Sequence, residues 1–290
     1  MGPFYYKTTI LFAIITENYA DMKRLLQVLI LLSSICSYAQ EKKPNKGIFI
    51  NPVTMDFNLT EGQTSTQKVV VTNNLDKRVL LRVYLNDWLR DTIGGHLYME
   101  PGTYSYSCSK WLTLDKGLLD LGPGQTMEVT VKMHVPDSAN AVKTMKWSML
   151  FLESVHEKTL PKTQGVTTAV TSEMRFGIHI YQTPPSVTVR DIKMLSFGAL
   201  LNLKNTYRIV CENTGETQLY CNSYIELVNI ITGEKTTVKS TEFPMFPGQK
   251  KYFDFVIPAT LPKGKYTITG VVDAGSDLPL EASQITRDIN

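Results

Sequence analysis

Two β-sandwiches in tandem behind an export signal are what this sequence predicts, and three features carry the prediction. Short runs of alternating apolar and polar residues follow one another from Gly47 to the C-terminus. Turn residues punctuate those runs, and no stretch of twelve residues has helical periodicity. A basic, then apolar, then small-residue segment stands ahead of them. At 290 residues the chain is long enough for two domains, each burying its own core.

From Met22 the chain reads MKRLLQVLILLSSICSYAQ. Lys23 and Arg24 precede an apolar run from Leu25 to Leu32, and Ser37 and Ala39 occupy the small-residue positions before a cut ahead of Gln40. Residues 1–39 are therefore read as a signal peptide, with residues 1–21 a mis-called extension ahead of a true start at Met22. The apolar run is too short to span a bilayer, so no stable membrane span is expected. Cys36 follows the bulky Ile35, which does not suit a lipidation site. The expected location is periplasmic or otherwise exported.

Between Gly47 and Thr183 the runs are IFINPVTMDFNL, QKVVVTNN, RVLLRVYLNDW, WLTLDKGLLDL, MEVTVKMHV, KWSMLFLE and SEMRFGIHIYQ. In MEVTVKMHV the residues Met127, Val129, Val131, Met133 and Val135 alternate with polar ones, as in a strand with one buried face. Thr183-Pro184-Pro185 cannot continue a sheet ladder and divides residues 47–183 from residues 186–290. Beyond it the pattern resumes, and Pro247-Gly248-Gln249 before KKYFDFVIP echoes Pro123-Gly124-Gln125 before MEVTVKMHVP. Both halves thus read as versions of one sandwich, of the immunoglobulin-like kind.

Charge and chemistry narrow the function classes. The formal net charge is +3, from 30 basic and 27 acidic residues that are interspersed. Removing Lys7, Lys23 and Arg24 together with Glu17 and Asp21 leaves +2, with no clustered basic face for nucleic acid. His96, His134, His156 and His179 lie in separate runs without metal-ligand spacing. No nucleophile elbow, phosphate loop or zinc-protease helix is present, so neither an enzyme nor a cofactor is expected. Cys211 and Cys221 flank the turn-rich NTGETQ and are expected opposite one another on a hairpin. They form either a disulfide or a pair of small buried side chains.

In layout the chain resembles the PapD-like periplasmic chaperones of pilus assembly over roughly residues 47–290. VVVTNNLDKRVLLRVYLNDW is similar to that family's second and third strands, and MRFGIHIYQTPP to the last strand of its first domain. The second domain, with ENTGETQLYCNSYIEL, FPGQKKYFDF and LPKGKYTITG, is also similar to surface proteins that interact with WxL proteins. The resemblance implies strand donation, in which a pilin-like subunit lacking its last strand receives one from the chaperone. The implied donor strand is Thr168 to Tyr181, with Val170, Met174, Phe176, Ile178 and Ile180 on one face and Arg175 beside them. The preceding HEKTLPKTQGVTT suits a loop that orders on a partner. Implied partners are pilin-like subunits with exposed sheet edges and an outer-membrane assembly protein. The family's basic pair, which anchors a subunit carboxylate, has no counterpart in the first strand, because Gly47 to Leu59 contains no Lys or Arg. The competing expectation is a surface adaptor that binds a cell-wall component or partner protein without donating a strand. The apolar face from Met174 to Ile180 also has a simpler reading, as the inner face of its own sandwich.

Overall fold

The computed structural model describes residues 46–155 and 173–289. The proposed signal peptide, the loop before the donor strand and Val170 fall outside the described residues.

The first half contributes β1 (Ile48–Asn51), β2 (Thr54–Phe57), β3 (Thr64–Asn73), β4 (Val79–Arg90) and β5 (His96–Met99). After these come β6 (Leu112–Leu114), β7 (Leu118–Leu121), β8 (Thr126–His134), β9 (Lys146–Ser154) and β10 (Arg175–Gln182). Two sheets result, one ordered β1-β3-β8-β6 and the other β2-β10-β9-β4-β5 with β7 joined to β4. The alternation expected of MEVTVKMHV holds: Val129, Val131 and Met133 are buried, while Glu128, Lys132 and His134 face outward or lie at the surface. Val69, Val71, Leu81, Leu119, Leu150 and Ile180 close the same core from the remaining strands.

The run IFINPVTMDFNL, read from sequence as one strand, is two. β1 pairs antiparallel with β3 in one sheet, the chain turns through a cis Asn51–Pro52 bond, and β2 pairs parallel with β10 in the other. Proline cannot donate to a ladder, so the pairing breaks where the sequence places it.

The second half contributes β11 (Ile192–Ala199), β12 (Thr206–Asn213), β13 (Leu219–Asn229), β14 (Lys235–Lys239) and β15 (Phe243–Met245). β16 (Lys250–Val256), β17 (Gly264–Asp273) and β18 (Glu281–Ile289) complete it. Its sheets run β11-β12-β16 and β14-β13-β17-β18, with β15 on β13. Ile209, Leu219, Ile225, Leu227, Phe253 and Ile268 fill the space between them. The chain is therefore all-β, two immunoglobulin-like sandwiches in tandem.

Cys211 and Cys221 correct an expectation. NTGETQ crosses from one sheet to the other instead of closing a hairpin, placing Cys211 on β12 and Cys221 on β13 in opposite sheets. Both are free and buried, with Cys211 Sγ 3.6 Å from Met245 Sδ. Burial pushes each thiol up to about 12, so both behave as small apolar groups.

The β10-β9-β4 sheet is covered on both faces. Its inner face meets the first core, and its outer face carries Trp88, Trp147, Met149 and Phe151. Phe246 of the second sandwich inserts among them, 2% exposed, with ring centroids 5.0 Å from Trp88 and 4.9 Å from Trp147. This explains why KWSMLFLE lacks alternation: a strand buried on both sides reads as a continuous apolar run. Backbone bonds add to the junction, with Tyr252 N–H donating to Thr92 O at 2.8 Å and Met145 N–H to Glu216 O at 2.8 Å. The chain from Gly47 onward forms one compact unit.

Candidate partner-binding seam

β10 is the strand on which the expected site falls. β9 covers one side along its full length, from Arg175 opposite Glu153 to Gln182 opposite Lys146. On the other side β2 reaches only His179 to Gln182. Backbone groups of a strand in an antiparallel pair point to alternate sides, residue by residue. His179 N–H donates to Val53 O at 3.1 Å, whereas Met174 O accepts from Ser154 N–H on the β9 side at 2.8 Å. That parity directs the N–H and C=O of Arg175 and Gly177 toward the margin that β2 does not reach.

Among the described residues no strand continues β2 along Arg175 to Ile178, because β1 has left for the other sheet. Among the described residues β1 is itself an edge strand, paired with β3 alone, so two sheet edges face each other across a seam. A groove of about 440 Å³ lies between them, with Ile48, Phe49, Ile50 and Val53 on one lip and Arg175, Phe176, Gly177 and Ile178 on the other. Phe49 is 42% and Val53 63% exposed. The lips are apolar apart from Arg175, whose guanidinium lies 3.7 Å from the centroid of the Phe151 ring and 5.1 Å from that of Tyr98.

The side chains expected to meet a partner are divided by this arrangement. Ile178 and Ile180 are fully buried in the first core, as in the simpler reading of the face. Met174 and Phe176 pack against the same core but are only partly buried. Arg175 is exposed on the opposite face of the strand. What the described residues leave uncovered here is backbone at Arg175 and Gly177, with the flanks of Met174 and Phe176. Sequence reasoning missed the second lip. Its signal was present in IFINPV, since a proline inside an apolar strand marks a break in pairing, and a break exposes an edge.

Gly177 is at a close approach: a Cβ there would lie 2.9 Å from Met149 Sδ and 3.3 Å from the Phe151 ring. Its small size lets β10 lie flat on that aromatic surface. Among the described histidines, folding brings His96 and His179 together on the same outer face, ring centroids 6.0 Å apart. Among the described residues no three His, Cys, Asp or Glu side chains gather as a metal site, and no helix is long and apolar enough to cross a membrane.

Neither a family model nor a curated protein sequence matches the chain. Solved structures that it is similar to include a chaperone–tip adhesin complex of CFA/I fimbriae biogenesis, at 11% identity and a TM-score of 0.48 over 83% of this chain and 98% of that one. A second is the CsuC–CsuE chaperone–tip adhesion subunit pre-assembly complex from Acinetobacter baumannii, at 11% identity and TM-score 0.46 over 82% and 97%. A third is the E. coli chaperone DraB, at 12% identity and TM-score 0.42 over 84% and 98%.

Proposed function

We propose that this chain is an exported, non-catalytic assembly factor that holds the unpaired sheet edge of a fibre subunit by lending it the open half of β10. The observation that carries the reading is the margin at Arg175 and Gly177, which no strand among the described residues pairs, beside an apolar groove. An extended segment of a client laid along that margin would exchange main-chain hydrogen bonds with Arg175 and Gly177. Its alternate side chains would enter the groove between Phe49, Ile50 and Phe176. Each main-chain bond contributes about 1 kcal/mol net, so the apolar lips supply much of the affinity. An unprotected edge of the client would otherwise pair with another copy of itself. An outer-membrane assembly protein would then receive the client.

The test is amide hydrogen exchange on the chain alone and on its complex with a co-expressed pilin-like subunit. Arg175 and Gly177 amides should exchange fast in the free chain and slowly in the complex. Phe49→Asp, which places a charge on the exposed lip, should weaken the complex about tenfold or more without moving the unfolding midpoint. A complex that forms with both amides still exchanging fast would rule the reading out.

A further inference from the structure

Among the described residues, the buried side-chain nitrogens and oxygens without a hydrogen-bond partner are Trp88 Nε1, Arg90 Nε, His96 Nε2, His179 Nε2 and Gln249 Nε2. Trp88, Arg90 and Gln249 belong to the junction of the two sandwiches, and His96 and His179 adjoin it through Trp88. The Trp88 ring lies 5.1 Å from His96 and 5.0 Å from His179, centroid to centroid, and the Arg90 guanidinium carbon 5.9 Å from Trp88. Gln249 reaches the same place through Phe246, whose N–H donates to Gln249 Oε1 at 2.9 Å and whose ring is 5.0 Å from Trp88. Buried polar groups are nearly always paired, so a group of five in one place asks for a shared partner.

The chemistry of the five says what that partner is. An indole N–H and an arginine Nε–H can only donate, so the partner must accept, which excludes a cation. Positive charge is also in excess. Arg90 and Lys251 both lie against the Phe243 ring, at 5.2 and 4.1 Å, and neither makes an ion pair among the described residues. The nearby carboxylate, Asp91, is already engaged, its Oδ1 accepting from the N–H groups of Ile93, Gly94 and Gly95. Burial holds His96, His179 and Lys251 below their ordinary values, with Arg90 adding to the effect on each. A cavity of about 410 Å³ opens beside two of the five, Arg90 and Gln249, which line it together with Asp91, Tyr104, Trp147 and Phe246.

We propose that this junction binds a small monovalent anion of the halide type, accepting from Trp88 Nε1–H and Arg90 Nε–H with His96, His179 and Gln249 as further donors. The positive edges of the surrounding rings suit a compact, weakly hydrated anion. Because its donors come from both sandwiches, the ion links them and raises the stability of the assembled chain.

Crystals of the intact protein grown in sodium bromide test this directly. An anomalous peak is expected within hydrogen-bond distance of Trp88 Nε1 and Arg90 Nε. In solution at constant ionic strength, replacing gluconate by chloride should raise the thermal midpoint by several degrees. Arg90→Met should abolish that response, and so should Trp88→Phe, which keeps a ring but loses the N–H. Absence of the bromide peak, absence of the chloride response, or a response that both variants retain would each overturn the proposal.

Discussion

The turn before β8 and the turn before β16 use the same set of bonds and end in different surroundings. In the first, Gly124 N–H donates to Asn73 O at 2.7 Å, Asn73 N–H to Gln125 O at 2.9 Å, and Gly122 N–H to Gln125 Oε1 at 2.8 Å. In the second, Gly248 N–H donates to Asn213 O at 2.9 Å, Asn213 N–H to Gln249 O at 3.1 Å, and Phe246 N–H to Gln249 Oε1 at 2.9 Å. The anchoring asparagines match as well. Asn73 Nδ2 donates to Lys77 O and Leu121 O, and Asn213 Nδ2 to Thr217 O and Met245 O. Gly124 and Gly248 hold φ of 72° and 73°, which favours glycine at both. The difference is one side chain: Gly122 in the first turn, Phe246 at the matching place in the second. A Cβ on Gly124 would meet nothing within 4 Å, while one on Gly248 would lie 3.1 Å from the Tyr106 hydroxyl. The second turn makes an interface because it carries an aromatic ring where its twin has hydrogen.

The two turns part most at Phe246. Phe246→Ala should cost about 4 kcal/mol, as other buried aromatic truncations do. Urea unfolding followed by the fluorescence of Trp88 and Trp147 should then separate from unfolding of the second core. A single unchanged transition would mean that the ring does not join the halves.

Asn73→Ala and Asn213→Ala probe what the two turns share. Each removes the side-chain amide's donor contacts, to three carbonyls from Asn73 and two from Asn213, and an acceptor that caps the following residues, through Leu75 N–H in one turn and Gly215 N–H in the other. Each should cost about 2–3 kcal/mol, and the two losses should be equal within error, measured as shifts of the urea midpoint at fixed slope. Unequal losses would show that the shared geometry is not shared energetics.

The smallest effect concerns pH, and only the second turn feels it, because Phe246 packs beside His179 through Trp88. Burial holds His179 at about 4, below its ordinary 6.5. The unfolded chain therefore binds a proton that the folded one refuses between those values, so stability is complete above pH 6.5 and falls as the pH drops toward 4. With partial exposure discounted, the loss is on the order of 1 kcal/mol. His179→Gln should flatten the slope of unfolding midpoint against pH in that window.

Much of the fold was legible because burial on one face imposes period two, as in MEVTVKMHV, and because Pro-Gly-Gln marked both turns. The asparagines were not legible, since an anchor and an ordinary turn residue look alike until two strand ends are brought together. The cysteine pair failed for a related reason: equal spacing about a turn does not say whether the chain folds back within a sheet or crosses between sheets. For the candidate site, the pattern left the apolar face of β10 with two readings, toward a partner or toward its own core, and the burial of Ile178 and Ile180 shows that alternation identifies a face without naming what covers it. The lip at Phe49 and Val53 depends on how far β2 extends along β10, a matter of register that local patterning does not carry.

The six-stranded sheet, clothed on both sides, has a bearing on how this molecule comes into being. Synthesis delivers Trp88, Trp147 and Phe151 well before Phe246, so the nascent front half emerges with an aromatic flank facing water. A fragment cut at the double proline would keep that flank permanently and tend to self-associate. The two sandwiches look like beads on a string in sequence, yet neither half is a finished object until the other arrives.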